Sequence, residues 1–209
     1  PTTLRLRPFL AFRNKHKLSR ANFYADGHSY PVNNGVRNRL YEGFPSLYMQ
    51  TDAGAEFVAA PDWYYNFEYE QERQRGYDYT EDLLTTGYFE TEITRNKPLV
   101  FSCSLEEVPG PARLNYVFDE ELSRRSDRDD LLACLRHAAG QFVSRREGGT
   151  EGVAGYPWFG RWGRDTFIAL PGITLAIEDI ETCLEVQDNI VGERGGGPFP
   201  KMGAAFHRV

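Results

Sequence analysis

The hydrophobic pattern changes its period once along the chain, near Pro109-Gly110-Pro111, and this change constrains the fold more than any other feature. Before it, short segments rich in aromatic and β-branched residues are separated by Gly, Pro and Asp, which is typical of strands and turns. After it, apolar residues recur at intervals of three and four, which is typical of helices. The sequence therefore predicts a β region followed by a helical region, and its 209 residues are enough for both.

The β region contains six candidate strands, at residues 3–12, 36–42, 46–50, 56–60, 87–93 and 99–105. Asn33-Asn34-Gly35 is predicted to form a tight turn, since asparagine and glycine tolerate the positive φ that such turns need. Asp52-Ala53-Gly54 is predicted to be a hairpin connection between the strands on either side. Residues 61–82 fit neither period, so we expect an ordered connection there. Within it, Trp63 and Tyr65 either cover the core or form a second sugar platform.

The helical region is predicted to hold three helices. An apolar stripe predicts the first over 127–146, opened by a capping box from Ser126 to Asp129. The second is expected over 165–177, bent or interrupted at Pro171-Gly172, because proline disturbs a helix interior. The third is expected over 179–191, followed by a glycine-rich loop.

The net charge of the chain argues against a nucleic-acid partner. The formal net charge is −6, although residues 1–40 carry eight Lys and Arg and a single acidic residue. A basic phosphate-binding arm is one interpretation of that stretch. Arg5 and Arg7 alternate with Leu4 and Leu6, however, and this alternation favours the solvated face of a half-buried strand.

The remaining composition indicates a soluble, reducing setting without a metal or cofactor. The three cysteines are widely spaced and odd in number, so neither a disulfide framework nor a metal site is indicated and a cytoplasmic location fits best. The four histidines lack metal-ligand spacing, and no phosphate-binding loop or serine-hydrolase motif is present. No signal peptide and no membrane-spanning run is seen, so no membrane association is expected.

Residues 154–166 have the sequence AGYPWFGRWGRDT, which places four aromatic rings beside an arginine and an aspartate. Pyranose rings stack on aromatic faces, and their hydroxyls pair with planar polar groups, so this mixture favours a sugar site. The candidate substrate-binding residues are Tyr156, Trp158, Phe159, Trp162, Arg164 and Asp165. Buried indoles packed around an arginine–aspartate pair cost desolvation and strain that a helix cap does not require, which favours a substrate site. The competing interpretation is that Asp165 simply caps the following helix and pairs with an arginine.

The segment AGYPWFGRWGRDTFIALPGITL closely resembles the signature of glycogen debranching enzymes of the amylo-α-1,6-glucosidase family. The upstream pieces TLRLRPFLAFR, PDWYYNFEYEQERQRGYDYTEDL and GYFE resemble the amino-terminal β-sandwich domain of the same family, especially of its shorter bacterial and archaeal members. The resemblance covers nearly the whole chain. Its central signature is highly specific, and the upstream pieces are moderately so.

This resemblance implies a multi-domain β plus α fold. Residues 1–110 would be the later part of a supersandwich-like β-sandwich, 111–125 a linker, and 126–209 the start of an (α/α)6 toroid. The implied protein is a cytoplasmic glycoside hydrolase of glycogen catabolism. It would act on the α-1,6 branch points of glycogen or a related branched α-glucan, with no nucleic-acid or membrane partner. The resemblance also implies that the chain is an incomplete copy of such an enzyme.

The same resemblance implies an inverting mechanism, which needs a carboxylic acid and a carboxylate base about 6.5–9.5 Å apart. The family's acid lies in an Asp-Ala-x-x-Trp segment that this sequence lacks, so the catalytic pair is expected beyond Val209. Trp162, Arg164 and Asp165 then match sugar-binding positions of the glucose subsite, with Asp165 a weaker candidate for a catalyst. The alternatives are a non-catalytic carbohydrate-binding fragment, another toroid glycosidase of trehalase-like or glucoamylase-like type, and a scaffold without ligand.

Overall fold

The computed structural model describes residues 2–14, 17–52, 54–95, 98–125, 128–146, 148–155 and 160–192. The chain divides into two compact units, Pro1–Leu122 and Ser123–Arg208. We call them the β unit and the helical unit. This division falls inside the segment that was expected to be a linker, and that segment is itself the helix α2, Pro111–Arg124.

The β unit contains two antiparallel sheets. One has three strands in the order β1-β6-β5, which are Thr2–Leu6, Thr80–Ile93 and Glu56–Glu68. The other has four strands in the order β2-β3-β4-β7, which are Tyr30–Val32, Gly35–Asn38, Leu47–Thr51 and Phe101–Ser104. A short helix, α1 (Glu70–Gln74), lies between β5 and β6.

The two sheets share one hydrophobic core. Its buried members come from both sheets and from the segments beside them, and they are Leu10, Val36, Leu40, Met49, Leu84 and Phe89. Phe89 of β6 packs edge-to-face on Phe57 of its own sheet at 5.0 Å and on Phe101 of the other sheet at 5.5 Å, measured between ring centroids. Aromatic pairs in this geometry stabilise a core beyond the effect of burying apolar area. Phe89 therefore joins the two layers.

Arg5 confirms the solvated-strand interpretation of the basic amino-terminal stretch. It lies on the exposed side of β1, where it is paired with Glu90 of β6 and stacked 5.2 Å from the ring of Tyr88. Leu6 points the other way and packs against the core. The predicted turn at Asn34 is also confirmed, since this residue has a φ of +54° between β2 and β3.

Two predictions for the β unit are wrong. Asp52 and Gly54 do not connect a hairpin, because β4 pairs with β3 and β7 while β5 pairs with β6 in the other sheet. The stretch 61–82 is not mainly a connection, since β5 runs to Glu68 and β6 starts at Thr80. Two register shifts along the β5–β6 pair break the alternation of side chains, which hides these strands from a period-based analysis.

The helical unit begins with α3 (Leu131–Gly140), which is followed by a hairpin of β8 (Val143–Arg146) and β9 (Gly149–Gly152). Helix α4 (Gly163–Ile173) contains Pro171 and is followed by a 3-10 helix, Leu175–Ile177. Helix α5 is Ile180–Gly192. A small core of Leu170, Cys183, Val186 and Ile190 joins α4 to α5.

The first predicted helix was too long at both ends. Asp130 is the N-cap of α3, and its carboxylate accepts the backbone N–H of Ala133 at 2.8 Å. The expected capping box began at Ser126, which lies outside the described residues. Val143 starts a strand rather than a last helical turn, because an isolated apolar pair at Phe142 and Val143 satisfies a strand as well as a helix. The third helix is confirmed. The second is confirmed as a helix, but it runs through Pro171 and Gly172 to Ile173, so its interruption comes at Thr174 rather than at the predicted Pro171-Gly172.

The β region followed by a helical region is therefore confirmed. The toroid stays a prediction. In the described ranges no helix has the length and apolarity needed to cross a membrane.

Candidate functional site

The β8–β9 hairpin is fixed to helix α5 by side-chain contacts. Thr150 of β9 donates its hydroxyl to Glu185 at 2.7 Å, and its carbonyl accepts the side-chain amide of Asn189 at 3.1 Å. From β8, Arg145 donates to the hydroxyl of Thr182 at 2.6 Å. These contacts set the position of β9 relative to α5.

Strand β9 in turn holds the beginning of helix α4. The buried hydroxyl of Thr166 donates to the carbonyl of Gly152 at 3.1 Å. A Cβ at Gly152 would lie 2.7 Å from the methyl carbon of Thr166, so only glycine allows the strand to approach this closely. The first turn of α4, which contains Arg164 and Asp165, is therefore positioned from α5 through β9.

The aromatic part of the motif connects β9 to α4. The backbone N–H of Ala154 donates to the carbonyl of Gly160 at 3.1 Å, which brings together the two ends of the segment between them. Tyr156, Trp158 and Phe159 belong to that segment and lie outside the described residues. Their role as a stacking surface stays a prediction.

Trp162, Arg164 and Asp165 are described, and they occur together at the start of α4. Trp162 is the half-buried N-cap residue, with an extended backbone, and Gly163 after it is buried. The guanidinium of Arg164 donates to the Asp165 carboxylate at 3.3 Å. Their side chains are 73% and 36% exposed. The packing of buried indoles around this pair stays a prediction, because Trp158 lies outside the described residues.

The exposure of this pair follows from its place in the helix. Thr166 and Leu170 form the buried side of α4, whereas Arg164 precedes them on the opposite side. An exposed ion pair contributes little to stability, typically about 0–1 kcal/mol. The pair is therefore not needed to hold the helix, and its polar atoms are accessible to a ligand.

The competing interpretation of Asp165 is confirmed for its pairing with an arginine, whereas no hydrogen bond supports its capping of α4. The residue lies in the first turn of α4, where a negative charge is favoured by the helix dipole. Among the described residues, its hydrogen-bond partner is Arg164, and no backbone N–H donates to its carboxylate. Asp165 thus presents its acceptor oxygens outward, beside the donors of Arg164.

The residues that position this site were not predicted from the sequence. Gly152 and Thr166 make the contact between β9 and α4, and Glu151 places a carboxylate only 7% exposed next to it. A glycine in one element and a threonine in the next form no recognisable sequence motif. The one feature of the sequence that could have drawn attention to this contact is Glu151, an acidic residue inside the otherwise small and neutral stretch GGTEGVAG.

The arrangement offers several planar donors, a carboxylate acceptor and a neighbouring indole within four consecutive residues. Such a set can bind adjacent hydroxyls and the apolar face of a sugar. No group of metal-ligating side chains occurs within the ranges that the structure describes.

Comparison with known families decides the identity of the chain. Residues 1–100 match the family model described as glycogen debranching enzyme N terminal, and residues 137–193 match the model described as amylo-alpha-1,6-glucosidase. The chain belongs to the glycogen debranching enzyme family. The first match covers all the strands of the β unit except β7, and the second contains the motif and helices α4 and α5. Neither a search of curated proteins nor a search of solved structures found a significant match.

Within this member of the glycogen debranching enzyme family, the two matched regions fall in the two units. The amino-terminal match ends before α2, and the glucosidase match begins inside α3. The site-bearing hairpin and helices therefore belong to the glucosidase region, and the two sheets belong to the amino-terminal region.

Proposed function

We propose that the protein acts as a glycoside hydrolase on the α-1,6 branch points of glycogen or a related α-glucan, and that the motif supplies its glucose subsite. The observation that supports this most directly is the exposed pair of Arg164 and Asp165, which follows Trp162 at the start of α4. Its donors and acceptor are held in place by α4 and are not used for stability. Glycogen or a branched α-glucan is then the partner, in a cytoplasmic setting.

In this proposal the terminal glucosyl unit is held by two kinds of contact. Arg164 donates to sugar hydroxyls and Asp165 accepts from them, so that neighbouring hydroxyls are bound as a pair. Trp162, together with Tyr156, Trp158 and Phe159, provides the stacking surface for the apolar face of the ring. These contacts orient the bond that is cleaved.

Hydrolysis with inversion needs an acid that protonates the bridge oxygen and a base that activates water on the opposite face. We assign neither role to the motif, because Asp165 is paired with Arg164 and is suited to accept hydrogen bonds from hydroxyls. The catalytic pair is therefore supplied by other residues. A catalytic Asp165 is the weaker form of the proposal.

We further propose that residues 1–110 form part of a β-sandwich, 111–125 a linker, and 126–209 the opening helices of an (α/α)6 toroid. Exposed apolar side chains on the helices support the toroid, since each helix of a toroid packs on more than one neighbour. They include Leu131, Leu135, Ile168, Ile180 and Leu184, each more than half exposed. A lone helical unit rarely leaves so much apolar surface uncovered.

The proposal is tested by titrating the protein with a branched limit dextrin and with a linear maltooligosaccharide of similar size. We expect tighter binding of the branched glucan, because the subsite recognises a terminal glucosyl unit at a branch. If hydrolysis occurs, glucose is expected to appear first as the β-anomer, which proton NMR detects. Absence of binding to either glucan would contradict the proposal.

The same titration separates the competing functions. Binding of branched glucan without any release of glucose, by the protein at high concentration, favours a carbohydrate-binding role. Release of glucose from trehalose, or from linear but not branched glucans, favours another toroid glycosidase.

A further inference from the structure

A cavity of about 200 Å³ opens on the β unit, away from the motif-bearing helices in sequence. It is lined by Asp26, Tyr30, Arg37, Arg39 and Ser46. The lining contains one carboxylate, two guanidinium groups, a hydroxyl and an aromatic ring. None of these residues belongs to the glucose subsite proposed above.

The register of the four-stranded sheet builds this cavity. Tyr30 of β2 lies directly opposite Arg37 of β3, and the guanidinium of Arg37 stacks 5.0 Å from the centre of the tyrosine ring. Val36, Asn38 and Leu40 are buried in alternation with Arg37 and Arg39, which therefore lie together on the outer face.

The wall formed by Asp26 is fixed by the backbone. Its N–H donates to the carbonyl of Leu40 at 2.8 Å, beside Arg39. Its carboxylate accepts the backbone N–H of His28 at 2.9 Å and contacts the His28 ring at 2.7 Å. The segment is anchored from below, since the buried amide of Asn38 donates to the carbonyl of His28 at 2.9 Å.

The groups around the cavity are available to a ligand. Within the described ranges, neither Arg37 nor Arg39 is paired with a carboxylate, and Tyr30 remains 46% exposed beside the stacked guanidinium. The hydrogen bond from the His28 backbone, followed by contacts to the His28 ring and Tyr30, lowers the pKa of Asp26 despite the opposing effect of burial. Asp26 is therefore an ionised acceptor at neutral pH.

The mixture of charges selects the kind of ligand. A phosphate or other small anion would meet the Asp26 carboxylate, and a metal ion would meet two guanidinium groups, so each is opposed by part of the lining. A sugar is neutral and carries hydroxyls that both donate and accept, so it can use the carboxylate, the guanidinium groups and Ser46 together. Because the Arg37 guanidinium covers one face of the tyrosine ring, a pyranose would stack on the other face.

We propose that this cavity binds one glucosyl unit of an α-glucan chain, as a second carbohydrate site on the β unit. The choice of an α-glucan rests on the proposed function, whereas the assignment to a neutral sugar rests on the lining itself. Such a site would keep the protein on a polymeric substrate between successive encounters of the glucose subsite with chain ends.

The test is affinity electrophoresis of the complete chain in gels containing glycogen, with Tyr30→Ala as the principal variant. The matched control is Tyr116→Ala, which removes an exposed tyrosine of α2 that is likewise stacked under an arginine, Arg113 at 4.8 Å, and does not line the cavity. Arg39→Gln is a second cavity variant, on an exposed side chain that the fold does not need. Thermal melts monitored by circular dichroism confirm that each variant is folded.

We expect Tyr30→Ala and Arg39→Gln to weaken glycogen retardation roughly fivefold or more, and Tyr116→Ala to match the wild type. Wild-type retardation of both cavity variants would overturn the second site. The Asp165→Asn variant separates this inference from the proposed function. If Asp165→Asn loses glycogen retardation and the cavity variants keep it, only the second site is overturned. If the cavity variants lose retardation and Asp165→Asn keeps it, the second site is supported and the glucose subsite is contradicted. No retardation of the wild type overturns both.

Discussion

Different kinds of buried polar contact stabilise the interior of the β unit and the interior of the helical unit. In the β unit, Glu81 has no exposed surface on its side chain and accepts hydrogen bonds from Arg13, from the hydroxyl of Tyr69 at 2.6 Å and from the backbone of Ser19 at 2.9 Å. In the helical unit, the buried hydroxyls of Thr166 and Thr174 donate to the backbone carbonyls of Gly152 and Leu170. Hydrogen bonds to a buried charge thus contrast with hydrogen bonds from neutral hydroxyls, although Glu151 of the helical unit is also buried.

The units also differ in how well they cover their apolar residues. The core of the β unit draws residues from both sheets, whereas that of the helical unit is confined to α4 and α5. This contrast indicates that the stability of the fold and the geometry of the subsite depend on separate residues. Changes in the β unit should therefore alter its unfolding without altering the subsite, whereas changes around β9 and α4 should alter both the stability of the helical unit and the subsite.

The largest expected effect is that of Glu81→Gln. A buried ion pair loses much of its value when one partner becomes neutral, because the remaining charge of Arg13 stays partly desolvated. We expect the free energy of unfolding of the β unit to fall by roughly 2–4 kcal/mol. Urea unfolding followed by tryptophan fluorescence, to which Trp63 beside the core contributes, measures this change.

The matched control for that prediction is Glu90→Gln, since Glu90 is also paired with an arginine, Arg5, but on the exposed face. Its effect should be about 0–1 kcal/mol. Equal losses in the two variants would show that burial of the charge does not distinguish the β unit.

The next effect is that of Gly152→Ala in the helical unit. The added methyl group would meet Thr166, so β9 or α4 has to move, at a cost of about 1–3 kcal/mol. Thermal unfolding followed by circular dichroism at helical wavelengths tests this. Gly148→Ala is the control, because no atom lies within 4 Å of the position that its Cβ would occupy. Unchanged stability of Gly152→Ala would contradict the close approach of β9 to Thr166.

Thr166→Val keeps the shape of the side chain but removes the hydroxyl that donates to Gly152. The buried carbonyl is then left without this donor, which should cost about 1–2 kcal/mol and weaken glucan binding by loosening the start of α4. Thr166→Ser, which keeps the hydroxyl, should recover most of the binding. Calorimetric titration with limit dextrin compares the three proteins, and equal binding by the valine variant would contradict the positioning role.

Acid should destabilise the β unit in a way that Glu81 governs. Burial opposes ionisation of Glu81, but hydrogen bonds from Arg13, Tyr69 and the Ser19 backbone outweigh it and lower its pKa below the ordinary 4.5. A carboxyl group with a lowered pKa stabilises the fold above its unfolded pKa, and this contribution is lost as the pH falls through the folded pKa.

Between pH 6 and pH 3 the wild type should therefore lose more stability than Glu81→Gln does. Urea midpoints of both proteins across this range, again followed by tryptophan fluorescence, give the difference. Parallel pH profiles would contradict the assignment.

The sequence predicted those parts of the fold in which one period dominates. The alternation of Leu4, Arg5 and Leu6 identified β1, and the apolar spacing after Asp179 identified α5. It failed where two structures share one pattern. Val143 suited a helix or a strand, and the bulges in β5 removed the alternation that would have revealed a long strand.

For the candidate site, the sequence identified the residue types but not their exposure. Trp162, Arg164 and Asp165 follow one another in the chain, so their proximity needed no tertiary information. Whether the pair is buried depends on which side of α4 packs against β9 and α5, and Gly152 and Thr166 decide that through a contact between residues in different elements. Similarly, Trp63 packs against the core while Tyr65 is 63% exposed, a division that composition alone left open.

The most direct test of the central claim is the affinity of Asp165→Asn for a branched limit dextrin, compared with that of Asp188→Asn, which alters an exposed carboxylate on α5. The glucose subsite predicts that Asp165→Asn binds at least roughly tenfold more weakly, because a sugar hydroxyl loses a charged acceptor, while its melting temperature is unchanged. Asp188→Asn should bind like the wild type. Unchanged affinity of Asp165→Asn would contradict the claim that the motif holds the glucosyl unit.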